Sequence, residues 1–267
     1  MKWFYILALI STVLLASTPF WLLTAEDTSR FKGKIVQYNI YPSKVNSVDP
    51  VTCGDTMSAA VQGNCYEGLY TYHYLKRPME VIPELADGMP EVSADGLTYT
   101  VKLKKGVQYF RNPCFGKEAD GRFKNRTVTA DDFVLAFKRV GDYHINTRLS
   151  LAFVQDKILG FEEYRRKTRS YAPGDFTRYE KVDLPGVAAL DEHTVQFKLA
   201  KPFPQLLFVL AMQSYAPTPR EVISYHLASK DDGKGGRIPI PIKERSTEIR
   251  EPEAVVGTGA FMLTEWV

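Results

Sequence analysis

Between Ile82 and Val140 the pattern of apolar and polar positions changes its period. Leu97, Tyr99, Val101 and Leu103 alternate with Thr98, Thr100, Lys102 and Lys104, the two-residue period of a half-buried strand. Ser93-Ala94-Asp95-Gly96 stands just before them. Asp-Gly supplies turn chemistry because Gly tolerates positive φ, so a β-hairpin is predicted here. Beyond a Gly-, Pro- and Lys-rich insertion at about residues 111–125, Ala130, Phe133, Val134 and Phe137 recur at i, i+3, i+4 and i+7. That spacing predicts an amphipathic helix. Thr129, with Asp132 three residues on, places a capping box at its start.

The same reading extends along the chain. Gly33–Tyr41 is β-branched and aromatic and reads as a first strand. Pro50 keeps Asp49 out of helical geometry. Met57, Ala60, Val61 and Cys65 are expected along one face of a helix closed by Gly68. Lys157–Arg169 is basic and reads as a solvated helix end. Ser170–Phe176 is a surface loop turning at Pro173-Gly174, and Val187–Leu199 a turn followed by an alternating strand. Pro202–Met212 reads as an apolar helix, Asp231–Arg237 as a mobile Gly- and Lys-rich loop, and Val256–Phe261 as a tight turn feeding a strand. Strands and helices interleave without an internal repeat, which predicts a mixed α/β fold.

Composition narrows the function. Of 267 residues, 45% are hydrophobic and 24% charged, with a net charge of +3. A chain of that kind buries a sizeable core. Its charges are mixed in sign along the sequence, and a nucleic-acid partner would want a clustered basic face. No catalytic, metal-binding or cofactor motif stands out. Gly257-x-Gly259 lacks the Lys and the βαβ unit of a phosphate loop and reads as a turn. His73, His144, His193 and His226 lack metal spacing. Asp131-Asp132 lie in the first turn of a helix, where cap and dipole account for them. A helix at about 1.5 Å per residue would hold Cys53 and Cys65 about 18 Å apart, too far for a disulfide. A Cys65–Cys114 bridge and unpaired thiols both remain compatible with the sequence.

Trp3–Ala25 carries no charge, with Lys2 before it and Glu26-Asp27 after. This is a targeting segment, and Lys2 orients it so that the remainder is exported. A cleaved signal peptide and an uncleaved signal-anchor both fit. The Leu at the −3 position of each candidate cleavage site favours the anchor, and the run is about the length that spans hydrocarbon.

Several phrases together resemble one family, the extracellular solute-binding proteins of family 5, the dipeptide and oligopeptide receptors of ABC importers. Ile82–Val140 is similar to that family over roughly sixty residues, from Pro83-Glu84-Leu85-Ala86 through Val92-Ser93 and Asp95-Gly96-Leu97-Thr98-Tyr99-Thr100 to Val128-Thr129-Ala130 and Lys138-Arg139. Ser47-Val48-Asp49-Pro50, Tyr66-Glu67-Gly68-Leu69, Ala216-Pro217-Thr218-Pro219-Arg220-Glu221 and Val256-Gly257-Thr258-Gly259 extend the likeness.

The resemblance implies a periplasmic-binding-protein-like type II fold, incomplete, with the third lobe and the C-terminal return missing. Residues 1–32 would be signal or anchor and linker, 33–65 with 220–267 part of lobe I, and 66–219 lobe II. It implies no enzyme and no cofactor. The expected function is peptide or small-solute capture for an ABC permease in the cytoplasmic membrane, from the periplasm or cell envelope, with the rest of the receptor encoded downstream. A sensing or binding module uncoupled from transport is the alternative. The family's ligand loop maps to Gly54, Asp55, Thr56 and Met57, where backbone groups would pair with an extended peptide. Asp55 fits either an anion for a cationic ligand group or the N-cap of the following helix. Some oligopeptide receptors have Glu at the position of Gly54, and a second family contact, a Tyr, falls near Leu149.

Overall fold

The hairpin expected around Ser93–Gly96 is present and forms one half of the main sheet. The computed structural model describes residues 43–266. Helix α1 is Thr56–Cys65, and the strands that follow are β1 (Tyr70–Tyr72), β2 (Val81–Pro83), β3 (Glu91–Val92) and β4 (Thr98–Lys102). Helices α2 (Ala130–Val140), α3 (Arg148–Val154), α4 (Phe161–Thr168) and α5 (Arg178–Lys181) come next. Then come β5 (Val187–Asp191), β6 (Thr194–Lys198), α6 (Leu206–Leu210), α7 (Arg220–Val222), β7 (Ser229–Asp231) and β8 (Arg237–Pro239). The described elements are short, and α7 runs on as a π-helical turn, Ile223–Leu227.

Strands β3-β4-β6-β5 form one antiparallel sheet in that order, with Tyr99 opposite Phe197 and Val101 opposite Val195. Gly96 takes φ +68° in the β3–β4 turn and donates to Ser93 O at 2.8 Å, a backbone conformation that costs other residues steric strain. The predicted alternation holds, since Tyr99, Val101 and Leu103 are buried and Lys102 and Lys104 exposed. Helix α2 lies against β5 and β6 and closes the core. Phe137 stacks on Tyr215 with ring centres 5.0 Å apart and meets Phe197 at 5.1 Å. Phe133, Phe137 and Val140 are fully buried, each adding roughly 1.5–3 kcal/mol by leaving water. The capping reading also holds, with Thr129 N–H donating to Asp132 Oδ2 at 2.9 Å.

Three local expectations are corrected. The buried side chains of α1 are Ser58, Gln62 and Cys65, while Ala60 is exposed and Met57 and Val61 are half-buried. The helix packs on a turn of bare backbone, which needs hydrogen-bonding partners more than apolar ones. Residues 231–237 form a closed β-hairpin turn, not a loose loop. Asp232 Oδ1 accepts from Lys234 N and Gly236 N, both at 2.8 Å. No strand follows Gly259 among the described residues; the chain runs on extended, with Phe261 N–H donating to Asn64 O at 2.9 Å. The Gly257-x-Gly259 turn itself is a close-approach site, because a Cβ on Gly257 would overlap the Cys65 carbonyl. Cys53, Cys65 and Cys114 are all free thiols, Cys114 being half-buried. The expected strand Gly33–Tyr41 and the apolar segment Trp3–Ala25 lie outside the described residues. Among the described residues no helix is long and apolar enough to cross a membrane.

Candidate functional site

The segment Asn46–Met57 is built around Asp49. Asp49 ends an extended stretch and caps the 3-10 turn Pro50–Thr52, its carboxylate accepting from Val51 N at 3.3 Å. Both of its oxygens also meet Arg139 of α2, at 3.1 and 2.6 Å, and both side chains are fully buried. Ile249 N–H adds a bond to Asp49 Oδ2 at 2.8 Å. Such a charge, removed from water, has to be paired and hydrogen-bonded.

Three further elements fix the turn. Gln62 Nε2 donates to the carbonyls of Ser47 and Asp49, each at 3.1 Å. Ser58 Oγ accepts from Asn46 N and Ser47 N at 3.1 Å. From α3, Ser150 Oγ donates to Val51 O at 2.8 Å, and Tyr215 Oη donates to Ser150 O at 2.5 Å. The loop that follows is therefore aimed by a rigid support.

That loop holds the residues assigned from sequence. Gly54 and Thr56 are exposed, Asp55 and Met57 half-buried. Asp55 is the N-cap of α1: Oδ1 accepts from Met57 N at 3.0 Å and Ser58 N at 2.8 Å. Its Oδ2 accepts from Ser58 Oγ at 2.8 Å and Asn46 Nδ2 at 3.1 Å. The bond from the Ser58 amide leads in holding its carboxyl below the usual range. Of the two roles weighed for Asp55, the cap uses Oδ1, and the side chains of Ser58 and Asn46 engage Oδ2. Among the described residues, neither the N–H nor the C=O of Gly54 has a hydrogen-bond partner. On its C-terminal side Asp55 is extended, with φ −147° and ψ 160°. An extended peptide could pair with this short free edge. A Cβ on Gly54 would meet nothing closer than Thr52 O at 3.9 Å, so the position is open.

Leu149 stands next in sequence to Ser150, which holds the loop, and is 46% exposed; Phe153, one turn on, is 38% exposed. With Leu151 and Val154 buried on the inner face of α3, these two lie exposed on the helix that packs against the Pro50–Thr52 turn. Phe153 was not singled out from the sequence. The signal was an excess of apolar residues in Leu149–Val154, more than one buried helix face can absorb.

Two cavities lie away from this loop. One of about 300 Å³ sits between α2 and the π-helical turn, floored by Val134, Leu135, Tyr179 and Ile223. Another, of about 790 Å³, is lined by Arg126, Asp132 and Glu221. There Arg126 bridges Asp132 at 2.8 Å and Glu221 at 3.1 Å, while Tyr109 Oη donates to Asp132 Oδ2 at 3.1 Å. These contacts tie α2 to α7 and account for the cluster structurally. Among the described residues no group of His, Cys, Asp and Glu is arranged to hold a metal.

Comparison with known proteins places the chain in a family. The family model for bacterial extracellular solute-binding proteins, family 5 Middle, matches residues 80–267. Oligopeptide-binding protein AliB of Streptococcus pneumoniae is 32% identical over 181 residues, which is 68% of this chain and 24% of that protein. Oligopeptide-binding protein AliA of the same species is 29% identical over 202 residues, 76% of this chain and 27% of AliA. The chain thus spans about a quarter of the length of these relatives. Among solved structures, the pheromone receptor PrgZ, described with its mode of peptide binding, aligns with a TM-score of 0.57 and 26% identity over 84% of this chain and 35% of that one. The substrate-binding domain of an oligopeptide ABC transporter from Bacillus anthracis aligns with a TM-score of 0.58 and 25% identity, covering 86% and 35%.

Proposed function

Because the chain belongs to the bacterial extracellular solute-binding proteins of family 5, we propose that it supplies one wall of a cleft that captures a peptide for an ABC importer. Members of this family are solute-binding receptors, and the mixed α/β fold is of the periplasmic-binding-protein type II class. The observation that carries the proposal is the backbone of Gly54, which has no hydrogen-bond partner among the described residues and follows a turn held by the Asp49–Arg139 pair. Gly54, Asp55, Thr56 and Met57 then act through main chain. Peptide N–H and C=O groups pair with Gly54, and Leu149 and Phe153 receive an apolar side chain.

In this proposal residues 33–65 and 220–267 work as lobe I and 66–219 as lobe II, and ligand capture is a hinge closure against further protein, encoded downstream. The permease is the receiving partner, and Trp3–Ala25 holds the receptor at the outer face of the cytoplasmic membrane. A related small solute is the alternative ligand. The likeness to a pheromone receptor favours one second reading, peptide sensing without transport.

Amide shift perturbation tests the site. Alanine-rich tri- to pentapeptides are expected to move the Gly54 and Asp55 amide resonances and leave those of the Ser93–Gly96 turn in place. Unchanged resonances at Gly54 and Asp55 under saturating peptide would sink the proposal.

A further inference from the structure

The connection between β1 and β2 carries the two most exposed large apolar side chains among the described residues, Tyr74 and Leu75, together with Met79. Tyr74 is 88% exposed, Leu75 77% and Met79 61%. The hairpin below them is firmly based. Tyr70 is fully buried, and Tyr72 packs on Phe208 with ring centres 6.1 Å apart and donates to Phe208 O at 3.3 Å.

The polar groups of the tip are turned on its own backbone. His73 Nδ1 accepts from Leu75 N at 3.2 Å and Lys76 N at 3.3 Å. Arg77 Nη1 donates to the carbonyls of Tyr74 at 3.4 Å and Lys76 at 2.8 Å, and Lys76 pairs with Glu80 at 2.7 Å. These contacts hold the loop in a shape that leaves Tyr74, Leu75 and Met79 in water. Arg77 meets no carboxylate among the described residues, so the tip keeps a net positive charge.

We propose that this tip inserts shallowly into an anionic bilayer surface. Tyr74 would sit at headgroup level, Leu75 and Met79 at the acyl boundary, and Lys76 and Arg77 against lipid phosphates. Tyrosine is suited to that depth by its apolar ring and polar hydroxyl, and the guanidinium fork matches a phosphate. Long basic side chains lay their stems along apolar surface while the charge stays in water. Three side chains on one connection fall well short of the about 800 Å² per partner that a specific protein interface buries. Shallow insertion needs no such area. The uncharged run Trp3–Ala25 is a separate reason, from sequence, for a bilayer to lie within reach. The inference does not depend on which solute the chain binds.

A local probe separates insertion by the tip from attachment by the N-terminal run. Tyr74→Cys, labelled with an environment-sensitive fluorophore, is compared with Lys234→Cys in the β7–β8 turn. The native thiols interfere little, since Cys53 and Cys65 are buried and burial pushes the Cys114 thiol up to about 12. On mixed phosphatidylglycerol–phosphatidylethanolamine vesicles, emission at position 74 is expected to rise at least threefold and shift to the blue. It should be quenched by acyl-chain nitroxides and weaken on phosphatidylcholine alone, with position 234 unchanged. Leu75→Ser with Met79→Ser should cut the response at least fivefold without altering thermal unfolding. Vesicle-bound protein whose position 74 stays aqueous would overturn the proposal. So would failure to bind vesicles, or a response that appears only when a permease is reconstituted into them.

Discussion

Asp49 and Arg139, ninety residues apart in sequence, form a two-point ion pair with neither side chain exposed to solvent. The pair joins the turn that carries the candidate peptide edge to the middle of the fold, and the Ile249 amide completes the carboxylate's shell at 2.8 Å. Removing either partner strands the other charge in a dry interior.

Asp49→Ala and Arg139→Met are each expected to lower unfolding stability by about 3–5 kcal/mol, read from urea midpoints at constant m-value. Arg139→Lys should recover little of the loss, because one ammonium cannot span both carboxylate oxygens. A midpoint for Asp49→Ala equal to that of the parent chain would contradict this role.

At the loop, Asp55→Ala removes an N-cap and should cost about 1 kcal/mol. Gly54→Glu is expected to leave the melting temperature unchanged, since the position has a negative φ and an added Cβ meets open space. If Gly54→Glu destabilised the fold as much as Asp55→Ala, the reading of Gly54 as a free edge would be wrong.

Two half-buried titrating groups should give stability opposite slopes with pH. Burial pushes the Glu84 carboxyl from its ordinary 4.5 up to about 7, against the pull of the Gly68 amide that donates to it at 2.8 Å. Its folded form therefore holds a proton more readily than its unfolded form. The stabilisation is complete below 4.5 and lost as pH rises through about 7. His226 behaves in reverse. Burial first, and then Arg237, lowers it from 6.5 to about 4, and its Nε2–H faces Asn112 Oδ1 at 3.0 Å. Its stabilisation is present above 6.5 and lost as pH falls through about 4. Glu84→Gln should flatten the first slope and His226→Gln the second, in melting temperatures taken from pH 4 to 8. Unaltered slopes in either variant would reject the corresponding assignment.

The sequence made the sheet and its covering helix legible because each shows a clean period. Leu97–Leu103 alternates, and Ala130–Phe137 repeats every three to four residues behind a capping pair. Helix α1 was misread because its buried face is polar; Ser58 and Gln62 are inside for their hydrogen bonds, and hydropathy does not register that. The β7–β8 hairpin was missed for a similar reason. Its order comes from one carboxylate, Asp232, binding amides two and four residues on. At the site, the family resemblance assigned the loop, but the Gly54 backbone, unpartnered among the described residues, appears only in three dimensions. Arg139 and Asp49 each stood out in the sequence as part of a family-like phrase; their pairing did not.

The long reach of Asp49 also bears on the order of events during synthesis. Its carboxylate finds Arg139 ninety residues downstream and the Ile249 amide two hundred residues downstream. No local segment can complete that shell, and loops of this length are slow to close. The shell around the turn before α1 is therefore complete only once residue 249 has been made.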